Sequence, residues 1–265
     1  MMLNVFRLII FILVNIYTGL LTYIPYALKV EEIHNACIQM IIKSAGYNLT
    51  VHDFRKYKYD APIMVFQHNS YADGHILTAA VGRISFMINS DYRKLPVLSR
   101  IFEHFDYIYM NSKKKGNSEQ IVEFLKNNPD KLLGIAPASS RASWDDRIGK
   151  FSTGAFVPMK PVTPVLIRYR NHQGTWFNRY GRGLGLKEFL IEIFGRKTRD
   201  VEVTILEEIP PSDCSTPREF ADKVNKIMRD YDKKFPAFNL PMPSLSIKIQ
   251  KKLINNLNIL LGSQL

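Results

Sequence analysis

From residue 62 onward the chain alternates short apolar runs with amphipathic stretches, and this alternation restricts its fold more than any other feature. Residues 62–67 (PIMVFQ), 84–88, 107–110, 132–136, 162–169 and 201–206 have the length and the β-branched or aromatic content of strands. Residues 74–81, 95–105, 117–126, 186–194 and 216–233 carry helical patterns between or after them. Asn117 with Gln120, and Thr216-Pro217 with Glu219, have the chemistry of helix starts. Strands separated by helices imply βαβ units, so the expected fold is α/β, with a mainly parallel central sheet flanked by helices.

The N-terminus adds a second constraint. Residues 8–28 form an uncharged, mainly apolar run between Arg7 and Lys29. As a helix rising ~1.5 Å per residue it is roughly 30 Å long, matching a bilayer core. It reads as an N-terminal membrane helix. A buried core helix and a helix lying in the interface remain alternatives. A cleaved signal peptide fits less well, because residues 25–30 offer no small-residue cleavage site. Residues 30–45 read as a second helix with Ile33, Cys37, Met40 and Ile41 on one face, close to the bilayer surface. Near the other end, Leu245, Ile249, Leu253, Leu257 and Leu261 recur every four residues among Lys248, Lys251 and Lys252. That helix suits ordinary packing or a membrane surface equally. The expected organisation is a membrane-associated segment over residues 1–50, one domain over 51–240 and an amphipathic helix over 241–265.

The net charge of +12 calls for an anionic partner: nucleic acid, a membrane surface or a phosphorylated substrate. Nucleic acid is the weakest of these, since the basic residues are dispersed and no binding motif is present. Cys37 and Cys214 are too few for a disulfide framework or a zinc site, and no metal pattern is visible. The glycines Gly181, Gly183 and Gly185 do not spell a dinucleotide fingerprint, and a G-x-S-x-G elbow is missing, which disfavours a serine hydrolase.

The candidate chemistry begins at residues 67–74, QHNSYADG, where His68 follows a strand directly and Asp73 comes five positions later. On a continuous helix that spacing separates two side chains by about 140°. A strand-to-helix turn folds them together, at the strand end where open α/β sheets gather ligands. Asp73 would hold one imidazole nitrogen while the other takes a proton. Asp73 as a plain helix cap is the structural alternative. The second candidate block is residues 149–168, GKFSTGAFVPMKPVTPVLIR, preceded by residues 136–143, APASSRAS. Ser139 and Ser140 there suit a turn better than a nucleophile.

Together these blocks resemble the glycerolipid acyltransferase family, and within it the lysophosphatidylcholine acyltransferase branch. That branch carries an H-x-S-Y-x-D motif, matched by His68, Ser70, Tyr71 and Asp73. Phe151, Gly154, Ala155, Phe156, Pro161, Pro164 and Val165 resemble its glycine–proline block, and Arg168-Tyr169 and Thr175-Trp176 are similar too. The resemblance covers roughly residues 62–232. Two departures stand out. The family usually reads F-P-E-G-T followed by Arg or Cys, where this chain has Ala136-Pro137-Ala138-Ser139-Ser140-Arg141. The family also places an arginine where this chain has Asn111. Both motifs are associated with gripping the acceptor's glycerol-phosphate part.

The resemblance implies an acyl-CoA-dependent O-acyltransferase: acyl-CoA as co-substrate, a lysophospholipid hydroxyl as acceptor, and no resident cofactor or metal. His68 and Asp73 would be catalytic. Asn111, Ser139, Ser140, Arg141, Lys150 and Gly154 would contact substrate, helped by the Lys113 to Lys115 run if that is not simply a solvated loop. It implies work at a membrane, of the endoplasmic reticulum or a related endomembrane if the source is eukaryotic. The alternative is an impaired relative that only binds lipid, favoured by the lost glutamate and opposed by the intact His68–Asp73 pair.

Overall fold

The computed structural model describes residues 9–10, 12–14, 16–17, 19–20, 30–55, 61–70, 72–94, 96–110, 117–138, 148–169 and 199–234. In chain order these form α1 (Val30–Ser44), β1 (Tyr47–Asp53), β2 (Ile63–Phe66), α2 (Asp73–Val81) and β3 (Ser85–Asn89). A 3-10 turn (Ser90–Lys94) leads to α3 (Pro96–His104), β4 (Ile108–Met110), α4 (Asn117–Asn127) and β5 (Leu133–Ile135). A second 3-10 turn (Gly154–Phe156) precedes β6 (Val162–Tyr169), β7 (Arg199–Ile205) and α5 (Pro217–Lys233). The expected helices over 186–194 and 245–261 lie outside the described residues.

The strands form one seven-stranded sheet in the order β1-β7-β6-β2-β5-β3-β4. All neighbours are parallel except β6 and β7. The expected α/β class and mainly parallel sheet are therefore present. Strand alternation splits the core in two. Met64 and Phe66 of β2 join Val165 and Ile167 of β6 under α1 and α2. Ile63 and Val65 join Leu133, Leu166 and Phe220 under α4 and α5. β2 lies between β5 and β6 and is buried on both faces, as a parallel strand covered by helices must be.

Two sequence expectations need correction. β1 was not anticipated: YNLTVHD is polar along most of its length, and all of it beyond Leu49 is exposed, so no apolar run announces an edge strand. It pairs in parallel with β7 over its full length. The expected boundary between residues 50 and 51 falls inside this strand. Likewise α1 is not confined to a surface: Ile38, Ile41 and Ile42 sit in the core against α2. The sequence does mark α5 well. Thr216 Oγ1 accepts from the Glu219 amide at 3.2 Å, Glu219 accepts from the Ser215 amide at 2.8 Å, and Pro217 occupies the first turn.

Of the 8–28 run, residues 9–10, 12–14, 16–17 and 19–20 are described, and they are helical. Val14 packs on the core, while Ile9, Ile12, Leu13, Ile16, Tyr17 and Leu20 are exposed. Among the described residues no helix is long and apolar enough to cross a membrane.

Two predictions follow from this packing. A Cβ at Gly134 of β5 would lie 2.7 Å from the Phe86 ring and 2.9 Å from Ile84. Gly134→Ala should therefore cost about 1–3 kcal/mol in chemical denaturation. His34 of α1 is buried against the Phe105 ring at 4.0 Å. Burial, with His75 and His104 nearby, pushes its pKa down from 6.5 to about 4. The unfolded chain thus binds more protons than the folded one between these values. Stability is retained above about pH 6.5 and falls as the pH drops toward 4, at up to roughly 1.4 kcal/mol per pH unit for this group. His34→Leu should flatten that slope in denaturation curves taken across the window.

Candidate active site

The site grows out of the place where β2 parts from β6. Backbone pairing of the two strands ends at Phe66 with Val165, while β6 continues to Tyr169. The side-chain amides of Gln67 and Asn69 then take over the ladder, donating to the Ile167 carbonyl at 2.9 and 3.3 Å. Both residues are buried. With the side chains holding the segment to β6, the backbone amides of residues 69 and 70 are released for another acceptor.

That acceptor is Asp73. Its side chain is fully buried. Oδ2 accepts from the Asn69 amide at 2.7 Å and the Ser70 amide at 2.8 Å. The same oxygen lies 2.9 Å from His68 Nδ1. Oδ1 accepts from the Tyr169 hydroxyl at 2.5 Å. A buried carboxylate is costly unless its lone pairs are satisfied, and here four donors surround it. It also opens α2, where the helix dipole favours negative charge. Asp73 is not a helix cap: the position before the helix is Ala72, with no side-chain cap. Its donors come from the turn between strand and helix instead.

The hydrogen bonds also determine the histidine's tautomer. Because Oδ2 already accepts two N–H groups, it acts as acceptor toward Nδ1 as well, which in the neutral ring puts the lone pair on Nε2. The His68 side chain is 45% exposed beside its fully buried partner, so the ring reaches out of the protein from a fixed base. The Phe66 ring meets it edge-on at 6.5 Å.

The other expected site residues fare differently. The two blocks meet where they are described: Ala138 bridges Phe151, and the Ser152 amide and hydroxyl both donate to the Pro137 carbonyl, at 2.7 and 2.8 Å. Since β5 runs parallel to β2, this junction lies at the same sheet end as His68. Gly154 starts the 3-10 turn, with open space where a Cβ would stand. Phe151, Ala155 and Phe156 are core residues packed toward Phe220, so much of that block serves folding. Lys150 is exposed on the same loop. Asn111, Ser139, Ser140 and Arg141 lie outside the described residues, as do Tyr71 and the Lys113 to Lys115 run. Among the described residues no group of three or more metal-binding side chains occurs.

Sequence reasoning missed Tyr169 as part of this site. The signal was present: Val165, Ile167 and Tyr169 alternate onto one face of β6. What the sequence could not supply was the register with β2 that puts this face beside Asp73.

The energetic prediction follows from the donor count. Asp73→Ala leaves two backbone amides and a buried hydroxyl without their acceptor, at about 1–3 kcal/mol for each group left unsatisfied. His68→Ala empties a half-exposed position. Urea denaturation should show Asp73→Ala as clearly the more destabilised of the two.

Residues 48–168 match the family model described as "Acyltransferase". The chain is 32% identical over 123 residues to a lysophosphatidylcholine acyltransferase of Drosophila melanogaster, covering 44% of this chain and 23% of that protein. It is 24% identical over 170 residues to human lysophosphatidylcholine acyltransferase 1, covering 62% of this chain and 31% of that one. The chain thus spans about a quarter to a third of the length of these relatives. Its fold is that of the 1-acyl-sn-glycerophosphate (LPA) acyltransferase PlsC of Thermotoga maritima, with a TM-score of 0.58 and 15% identity over 88% of this chain and 97% of that one. Over residues 48–168 the chain is therefore similar to acyltransferases in sequence, and it shares the fold of one of them.

Proposed function

We propose that the chain transfers a fatty acyl group from acyl-CoA to the free hydroxyl of a lysophospholipid, with His68 as general base and Asp73 as its partner. The observation that carries this reading is the 2.9 Å contact between a half-exposed imidazole and a fully buried carboxylate. A histidine kept for folding has no need of such an anchor. An anchored, half-exposed imidazole is what proton abstraction requires.

In this mechanism His68 Nε2 takes the hydroxyl proton as the acceptor oxygen attacks the thioester carbonyl carbon. Asp73 keeps the ring aligned and stabilises the imidazolium that forms. A C–O bond forms, the C–S bond breaks, and the proton passes from the imidazolium to the departing CoA thiolate. The acyl group moves directly, without a covalent acyl-enzyme. Arg141 and Lys150 would neutralise phosphate on donor or acceptor, and Asn111, Ser139, Ser140 and Gly154 would shape the acceptor site. Lysine cannot copy the bidentate fork of arginine, so the departures at Asn111 and Ala138-Ser139 point to a changed grip on the acceptor.

Both substrates bear acyl chains, and the exposed Ile9, Ile12, Leu13, Ile16, Tyr17 and Leu20 suit contact with lipid. The intact dyad favours catalysis over mere lipid binding. Labelled acyl-CoA offered with a panel of lysophospholipids should yield diacyl product with the wild-type chain. His68→Ala should lower transfer by at least about a thousandfold, as expected when an essential base is lost, with its fold intact by circular dichroism. Wild-type rates in that variant would sink the assignment.

A further inference from the structure

We infer that Tyr169 is a positioning residue of the acyl-transfer centre, acting on His68 through Asp73. The inference rests on the reading of His68 as general base and adds a third member to the dyad. Asp73 has two carboxylate oxygens with distinct duties. Oδ2 faces the turn and His68, and Oδ1 is held by the Tyr169 hydroxyl at 2.5 Å. A carboxylate bonded through one oxygen alone can still rotate about its Cβ–Cγ bond. A second anchor on the other oxygen fixes the plane of the group and with it the line along which Nδ1 is held.

Tyr169 is itself well fixed. It is buried, ends β6 and meets the Tyr47 ring edge-on at 6.1 Å. Ser70, in the turn that holds Asp73, has its Oγ fixed by the Ala72 amide at 3.1 Å. The Tyr169 hydroxyl donates its one proton to the carboxylate. Burial and the neighbouring Asp73 charge hold the Tyr169 phenol well above its usual pKa, so it stays a neutral donor and does not exchange a proton with the centre. At 4% exposure it offers no surface to substrate. Its effect must therefore pass through the carboxylate, which distinguishes it from a residue that binds lipid or CoA.

The experiment is a double-mutant cycle between Tyr169→Phe and Asp73→Asn, assayed with oleoyl-CoA and lysophosphatidylcholine or whichever panel acceptor is turned over best. Tyr169→Phe keeps the ring and its contact with Tyr47 and deletes one hydroxyl. Its kcat should fall about tenfold, the size expected for one hydrogen bond to a charged group, with KM for both substrates within about twofold. In the Asp73→Asn background the same change should cost nothing further, because the group it acts through is already gone. A wild-type kcat in Tyr169→Phe would overturn the inference, as would a loss that appears in KM alone or one of equal size in both backgrounds. If Tyr169→Phe alone fails to fold, the double variant, which buries no unpaired charge, still decides: a rate below that of Asp73→Asn contradicts the inference. Failure here is separable from failure of the underlying reading. Full activity in His68→Ala sinks the general base itself, whereas a dead His68→Ala with a fully active Tyr169→Phe removes only Tyr169.

Discussion

The buried carboxylate of Asp73 organises this end of the protein. A charged group with no solvent contact persists only if the surrounding structure supplies its hydrogen bonds. Here the donors come from three sources: the backbone of residues 69 and 70, the ring of His68 and the hydroxyl of Tyr169. Each must arrive at a fixed place. The demand for full pairing therefore imposes the path of the turn after β2, the start of α2 and the depth to which β6 extends. The geometry that stabilises the carboxylate also holds a half-exposed imidazole by its Nδ1.

The sheet makes this possible by an exchange of hydrogen-bonding partners. β2 stops pairing with β6 through its backbone at Phe66, and Gln67 and Asn69 continue the connection with side-chain amides. An ordinary strand would have spent its backbone N–H groups on the ladder. By using side chains instead, the segment turns away from the sheet and still presents two backbone amides to Asp73. The apolar residues before it, Met64 and Phe66, anchor the turn in the core beneath α2. Packing, hydrogen bonding and chemistry are thus continuous along a stretch of about ten residues.

The sequence revealed the architecture because buried parallel strands are written as apolar runs and helices as periodic ones. β2, β6 and α5 are examples whose bounds differ little between expectation and structure. It did not reveal β1, whose exposed polar face resembles a loop. The His68–Asp73 pair was legible because both members lie within one turn, close in sequence as well as in space. Tyr169 was not, because its contact with Asp73 spans 96 residues and depends on strand register. The glycine–proline block was legible as a block, but Phe151 and Phe156 within it turn out to be core. Periodicity cannot separate a residue kept for packing from its neighbour kept for substrate.

The central claim is that Asp73 holds the neutral His68 ring with its proton on Nδ1 and its lone pair on Nε2. Long-range proton–nitrogen NMR of the histidine-labelled wild-type protein, assigned with His68→Ala, tests this directly. The account predicts a protonated Nδ1 and an unprotonated Nε2 for the neutral His68 ring. A neutral ring carrying its proton on Nε2 would contradict it.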